Sequence, residues 1–479
     1  VNLSAALNNA ISGLGAASRS AQVVSSNISN ALTPGYGRRE VDLSTERYGG
    51  VRIDGIARRA DPAVIAERRG AEAEQGFSST RSAALGRISD AVGAADDPNS
   101  LAGRVARLEA QLTQAASAPE SEVRQLNVLE AARDITVHLE QATDSIQAQR
   151  AQADRGIGRA VGMLNENLAR IEEINTQIAR SRGKGEDVTS LLDMRQASID
   201  QISEIVPIRE ITRPNGTIGL MTPGGQILLD PRPVTIEFTP ANAVGPGSTL
   251  GNPLSGLTVD GRAIDMSNPD GKMAGGTLAA MFEVRDQSGV AAQARLDGFA
   301  RDLVERFADP SLDTPPAAVP GLFTDRGAAF APADETGLAG RLRLNARVDP
   351  TQGGELWRLR DGIGAAAPGD AGDARLLTAM GDIMRAPRAA ASPNLGAERL
   401  SLGSLADTLV ARASGDAYQA EQRETFTQTR AAALMEEEMS QGVDTDQEMQ
   451  KLLLVEQAYG ANARVIQAVD DMMRRLMEI

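Results

Sequence analysis

No cysteine occurs among the 479 residues of this chain. Disulfides, zinc–thiolate sites and thiol nucleophiles are therefore excluded. The compartment stays open, because an extracellular protein can simply avoid thiols. Aromatic residues are scarce as well: 3% of the chain, with a single tryptophan. A low-aromatic, alanine-rich composition suits long helices packed through small side chains better than a thick globular core. An excess of positive charge is missing too. The formal charge of −15 argues against a nucleic-acid partner, whose phosphates call for a basic face. No apolar run approaches the roughly 18 residues that suggest a membrane span. The N-terminus has no basic segment followed by an apolar core, so no cleavable secretory signal is expected.

What the chain does have is a seam at each end. Leu3, Leu7, Ala10, Leu14, Ala17, Ala21, Val24, Ile28 and Ala31 follow strict four-three spacing. Leu452, Val455, Tyr459, Asn462, Ile466, Val469, Met473 and Leu476 do much the same. Each is the narrow apolar stripe of a coiled coil. A terminal helix cannot bury such a stripe alone. The simplest solution pairs the first helix with the last and leaves the pair available to neighbouring chains. Asn462 occupies a slot where an aliphatic residue would stabilise more; a buried Asn there can fix register and partner number, while the plainer reading is a kink or a solvent-facing side chain. Tyr459 reads either as core or as an anchor against another subunit.

Between the seams the signals are nested. Residues 1–37 carry one formal charge, Arg19, and Gly13 and Gly15 each weaken the helix by about 1 kcal/mol relative to alanine. Thr33-Pro34-Gly35-Tyr36 ends it as a turn with proline second and glycine third. After a polar stretch, helix resumes near Asp61. Residues 100–116, 120–182 and 187–205 read as helices, the second bearing a seam of Ile157, Val161, Leu164, Leu168, Ile171, Asn175 and Ile178. Short β-branched runs at 206–212, 217–222, 226–230 and 234–238 predict an antiparallel meander. Residues 257–265 predict a hairpin about Asp260-Gly261. Helix returns over 278–307 and 402–438, and Thr445 with Glu448 gives a capping-box signature for the last helix. Residues 322–397 carry only weak patterning. The length suits about three domains.

Catalytic and ligand motifs are sparse. His138, the only histidine, sits within a helical stretch and reads as a partly exposed surface residue. No second histidine and no Gly-x-Ser-x-Gly turn accompany it. Paired carboxylates such as Asp96-Asp97 and Asp470-Asp471 need a cleft that sequence does not reveal. The glycines at 224–225 and 275–276 lack the Lys-Ser/Thr of a phosphate loop and read as turns. Asp444 and Asp446 lack the glycine and closing glutamate of a calcium loop and read as helix capping. No metal, no cofactor and no catalytic residue is expected.

The segment Ser26-Asn27-Ile28-Ser29-Asn30-Ala31-Leu32-Thr33-Pro34-Gly35-Tyr36 resembles the N-terminal signature of bacterial flagellar rod, hook and hook-associated proteins. The tail, Gly442-Val443-Asp444-Thr445-Asp446-Gln447-Glu448-Met449 and then Glu456-Gln457-Ala458-Tyr459-Gly460-Ala461-Asn462-Ala463-Arg464-Val465-Ile466, resembles their C-terminal signature. Ser26 and Gly460 depart slightly from the commoner residues. Leu191-Leu192-Asp193-Met194-Arg195-Gln196, followed by the meander with Asn215-Gly216-Thr217 and Gly224-Gly225-Gln226, is similar to the hook-associated branch at the hook–filament junction.

The resemblance implies a mainly α protein with a β-rich middle. It would be elongated and multidomain, with paired terminal helices, a long-helix bundle and an antiparallel β-rich outer domain. The expected divisions are 1–36 with 443–479 as the terminal coiled coil, 37–206 with 275–308 and 398–442 as the bundle, and 207–274 with 309–397 as the outer domain. The implied assembly interface is Leu3, Leu7, Leu14, Val24, Asn27, Ile28 and Asn30 with Leu452, Val455, Tyr459, Asn462, Ile466, Val469, Met473 and Leu476, beside the signature turn Thr33, Pro34, Gly35 and Tyr36. Implied partners are copies of the chain in a junction ring, the hook protein, the next hook-associated protein, and an export chaperone on residues 443–479. Nucleic acid and membrane are not expected. The implied place is the extracellular flagellum, reached by type III export without cleavage of a signal. A hook or distal-rod protein is the alternative of the same class. A flagellum-associated cell-wall glycosidase, with its cleft in 309–397, is the alternative of another class.

Overall fold

The computed structural model of the chain describes residues 3–33, 35–47, 49–310, 312 and 320–477. Helix α1 (Leu3–Ser29) leads into a hairpin of β1 (Arg38–Thr45) and β2 (Val51–Arg59), in antiparallel register with Arg39 opposite Arg58. The polar stretch after the signature turn is therefore a β-ribbon, not part of a helical bundle. Its charged residues serve a two-stranded ribbon with both faces near solvent. The tip turns back along α1: the Val51 N–H donates to Ser12 Oγ at 3.1 Å.

Helices α2 (Pro62–Val92), α3 (Leu101–Ala116), α4 (Glu122–Lys184) and α5 (Thr189–Ile205) follow. Their ends are written locally. Asp61 caps α2 by accepting from the Ala63 N–H, with Pro62 at the first helical position. Ser100 caps α3, and Gly185 closes α4 at φ +74°. The 63 residues of α4 span ~95 Å at 1.5 Å per residue. It joins two cores. Val128–Ile146 line the first, together with α3 and the end of α2. Ile157–Ile171 line the second, together with α5. The seam read from the sequence of this helix, from Ile157 to Ile178, is buried throughout.

The second core is capped by strands. β3 (Arg209–Thr212), β4 (Ile218–Met221) and β5 (Ile227–Leu229) form an antiparallel meander. The fourth run, β6 (Ile236–Glu237), leaves that sheet. Beyond a small parallel pair, β7 (Thr249–Leu250) and β8 (Pro253–Leu254), it pairs with β9 (Leu257–Val259) of the hairpin to β10 (Arg262–Ile264). Two helical asparagines dock these sheets. Asn175 donates to the Ile218 carbonyl at 2.9 Å and accepts from the Ile218 N–H at 3.2 Å. Asn165 makes the same clasp on Ile236, at 2.7 and 3.1 Å. Each amide stands in for a neighbouring strand and satisfies backbone groups that burial would otherwise orphan.

The expected helix 278–307 is α6 (Gly276–Glu283) and α7 (Gly289–Phe307), joined through a π-helical turn, Val284–Ser288. That turn delivers Arg285 into the interior. The described residues of 309–397, expected with 207–274 in one outer unit, pack against the other core. Their elements are β11 (Phe323–Asp325), α8 (Leu338–Arg341), β12 (Leu342–Leu344), α9 (Arg358–Asp361), α10 (Arg375–Arg385) and β13 (Arg388–Ala389), which pairs with β14 (Arg399–Leu400). Phe323, Leu342, Leu359 and Met380 bury into the first core, against the helices. Elements this short cannot enclose a core of their own. Arg306 of α7 holds the segment by donating to the carbonyls of Ile383, Ala386 and Leu400 at 2.7–2.8 Å. A hydrolase assay on 309–397 alone would therefore test a fragment stripped of its packing. Helix α11 (Leu402–Ser440) runs along α2, and α12 (Thr445–Met477) pairs with α1.

His138 is buried in the bundle, not on its surface. Its Nε2–H donates to the carbonyl of Val92 at the end of α2, 3.1 Å away. Burial holds the imidazole below the usual histidine range of about 6.5. Below that range the unfolded chain takes up a proton that the folded one refuses, so stability falls as pH drops through 6.5. The melting temperature of the wild type should fall further between pH 7.5 and 5 than that of His138→Gln, which keeps a donor but no charge. Parallel curves for the two proteins would show that His138 does not titrate this way.

Candidate assembly interface

The chain ends meet in a buried polar cluster. Asn27, in the last turns of α1, is 0% exposed. Its Nδ2 donates to the Arg39 carbonyl at 2.8 Å and to Glu448 Oε2 at 2.9 Å. Its Oδ1 accepts from the Arg39 N–H at 3.0 Å and from the Tyr36 hydroxyl at 2.9 Å. Asn27 thus clasps β1 as Asn165 and Asn175 clasp β6 and β4, with a carboxylate of α12 added. Glu448, 1% exposed, also accepts from Arg38 Nε at 3.0 Å and Lys451 Nζ at 3.2 Å. One side chain from each end of the sequence therefore fixes α1, the signature turn, β1 and α12 together. The turn itself closes as expected: the Tyr36 N–H donates to the Thr33 carbonyl, and Gly35 has φ +78°. Pro34 lies outside the described residues. Of the two capping readings for α12, that of Asp444 holds and the Thr445–Glu448 capping box does not. Asp444 accepts from the Asp446 and Gln447 N–H groups, so Asp444 and not Thr445 is the capping side chain. Glu448 turns inward to Asn27 because Arg38 and Lys451 neutralise it there.

A second joint ties this assembly to the bundle. Asp193 of α5 accepts from the Gly37 N–H at 3.1 Å, Arg58 Nε at 2.7 Å and Arg39 at 2.8 Å. Arg58 also reaches Gln196, whose amide donates to Glu438 of α11 at 3.2 Å. Arg195, between them, donates to Asn175 and to the Gly216 carbonyl, reaching the meander. The Leu191–Gln196 motif is thus where hairpin, bundle and meander meet. Sequence reading found the motif but not this role, since its partners in the hairpin and in α11 lie more than 130 positions away.

Along the terminal pair, Val24 and Asn27 are buried, while Leu3, Leu7, Leu14, Ile28 and Asn30 are half-buried. On α12 only Val469 of the eight seam residues is buried. Leu452, Val455, Asn462 and Ile466 are half-buried. Tyr459, Met473 and Leu476 stay exposed, Leu476 at 61%. Asn462 packs against Gly13, where an added Cβ would lie 2.8 Å from its amide nitrogen. Its Nδ2 donates to the Ala458 carbonyl one turn back. Gly13→Leu should overpack this contact, costing about 1–3 kcal/mol. Faster hydrogen exchange over 445–477, partly restored by adding Asn462→Gly, is the expected result. Unchanged exchange would rule the contact out as a determinant of pairing.

A neighbouring face of α12, about 100° around the helix, carries a second seam. Leu454, Ala458, Ala461, Val465, Ala468 and Met472 repeat the four-three spacing, and all six are exposed. Its alanines mask it in a scan for large aliphatics. A helix with two seams can pair with two neighbours at once, and α1 supplies only one. Among the described residues no helix is long and apolar enough to cross a membrane.

Comparison with known proteins gives three matches, in order along the chain. The model for flagella basal body rod proteins matches residues 7–36. That for the helical domain of the flagellar hook-associated protein FlgK matches 85–309. That for the C-terminal region of flagellar basal body rod FlgEFG proteins matches 438–479. Flagellar hook-associated protein 1 of Salmonella typhimurium is 27% identical over 238 residues, covering 47% of this chain and 43% of that protein. Its Escherichia coli namesake is 23% identical over 297 residues, covering 60% and 53%. The chain spans about half the length of the curated relatives it matches. The solved structure of the flagellar hook junction protein FlgK from Burkholderia pseudomallei aligns at 17% identity and a TM-score of 0.43, over 54% of this chain and 46% of that one. Rod-type sequences at both ends, with a match to the FlgK helical domain between them, are what this chain shares with flagellar hook-associated proteins.

Proposed function

We propose that this chain is a structural component of the bacterial flagellum that links hook to filament, and that it works by assembly without catalysis. The observation that carries the reading is the terminal pair. α1 and α12 are locked to each other through Asn27 and Glu448, yet α12 keeps a whole apolar seam in solvent. Stacking against further terminal helices would bury it. The match to the FlgK helical domain over 85–309 favours a junction protein over a hook or rod protein. On this reading residues 1–36 with 443–479 form the axial unit, in contact with copies of the chain, the hook protein below and the next hook-associated protein above. Before assembly an export chaperone covers 443–479, and the finished protein lies outside the cell.

Removing residues 443–479 tests this. The truncated chain keeps both hydrophobic cores, so it should stay folded, soluble and monomeric. In cells it should be absent from purified hook–filament structures. Normal incorporation of the truncated chain would overturn the proposal.

A further inference from the structure

The chain is acidic overall, yet one cleft on the flank of α4 is basic. It has a volume of about 820 Å³ and lies between α4 and β12. Arg133, Arg326, Arg343 and Arg347 line it, with Glu140 and Asp349 as the only acidic side chains among the described residues. Arg133 pairs with Asp349 at 2.9 Å, and Arg343 with Glu140 at 2.6 Å. Those charges cancel. Among the described residues, the guanidiniums of Arg326 and Arg347 have no hydrogen-bond or ion-pair partner.

Arg326 is held at the cleft against its backbone preference. It has φ +51°, the left-handed region, in a tight turn where Asp325 and Ala328 exchange both backbone hydrogen bonds at 3.0 Å. Such turns favour Asn, Asp or Gly at this position. The corresponding turn of the β9–β10 hairpin follows that rule, with Asp260 at φ +48°. A bulky residue kept in a disfavoured conformation points to a use for its side chain.

We propose that this cleft binds an acidic peptide segment, with Arg326 and Arg347 each presenting a planar fork to a carboxylate. Val137, exposed on the cleft wall, offers apolar contact to a side chain of that peptide. Single-stranded nucleic acid is disfavoured, since among the described residues none lining the cleft is aromatic and offers bases a stacking platform. The segment is assigned to a different acidic protein, because in the acidic run of this chain's own α11, Glu436-Glu437-Glu438, Glu438 is already engaged by Arg68 and Gln196.

The test titrates two labelled peptides, hexaglutamate and residues 431–441 of this chain, into the full-length protein at low ionic strength. Both should bind, with affinity falling as salt rises. Arg326→Gln with Arg347→Gln should weaken binding roughly tenfold or more. Arg326→Asn should weaken binding while raising the melting temperature, because Asn tolerates the turn; a purely structural arginine would not separate the two readouts. Hexaglutamate should bind more tightly than 431–441; the reverse order would assign the site to a second copy and overturn the proposal. No binding to the wild type, equal binding to the double variant, or displacement of both peptides by a single-stranded oligonucleotide would overturn the proposal.

Discussion

Asn27→Asp should release the C-terminal helix at neutral pH. The substitution is isosteric, and the oxygen facing Tyr36 and the Arg39 N–H still accepts. The other oxygen replaces a donor and meets two acceptors, the Arg39 carbonyl and Glu448 Oε2. A second carboxylate would then be buried in contact with Glu448. Disrupting a buried hydrogen-bonded network in this way costs about 3–5 kcal/mol. At about 1.36 kcal/mol per decade, helix opening should increase roughly a hundredfold or more. Hydrogen exchange over 445–477 reads this directly, while α3 and α4 should exchange as in the wild type.

The pH dependence has a definite sign. The introduced carboxyl is neutral only if it keeps its proton, and in that protonated form it can donate to Glu448 as the amide does. Its folded pKa is therefore raised above the unfolded value of about 3.9. The stability it contributes is present at low pH and is lost as pH rises through the folded value. The gap between variant and wild type should be narrow near pH 4.5 and wide near pH 8. Exchanging the roles, as Asn27→Asp with Glu448→Gln, restores one donor and one carboxylate and should recover most of the loss at pH 8. A variant as protected as the wild type at pH 8 would refute the latch.

The parts of this design that were legible in the sequence are those with a period. The α1 and α12 seams and the Ile157–Ile178 stripe announce themselves because one helix face is apolar over many turns. The parts that were not legible are held by partners distant in sequence. The 38–59 ribbon has charged residues on both strands, so it shows neither strand alternation nor helical period; its place is set by Asp193, more than 130 positions away. Gly13 and Asn462 read singly as a weak helix and a polar interruption. Together they are one contact, a missing Cβ that makes room for an amide. Asn27, Asn165 and Asn175 suggest a usable signal. An asparagine on the inner face of a long helix near a predicted strand is a candidate clasp for that strand's backbone. Residues 309–397 gave little pattern because, α10 apart, none of their described elements is longer than about one helical turn.

The joint between the two cores should be as sensitive as the terminal latch. Asp154 and Arg285 are both fully buried and pair at 2.8 Å, where the π-turn crosses α4. Asp154 also accepts from the Ala241 N–H at 2.7 Å. Arg285 donates to the Ser255 carbonyl at 3.0 Å and lies 4.8 Å from the centre of the Phe282 ring. Arg150 extends the cluster to the carbonyls of Arg285, Gly245 and Ser248. Charged side chains of α4 and the π-turn thus hold the loop 239–256 at the Ala241 N–H and at the carbonyls of Gly245, Ser248 and Ser255. Asp154→Ala leaves a buried guanidinium donor and a backbone N–H without acceptors, for which about 3–5 kcal/mol is the expected loss. Asp286 limits it by retaining part of the charge balance of Arg285. Replacing both partners, as Asp154→Leu with Arg285→Met, removes the charge along with its counterion and should cost less than Asp154→Ala alone. Exchange of the 239–256 amides and the thermal transition of the full chain separate the cases. Should Asp154→Ala leave both unchanged, the loop must be held by its own packing and the ion pair is incidental to how the β-sheets are fixed to the helical rod.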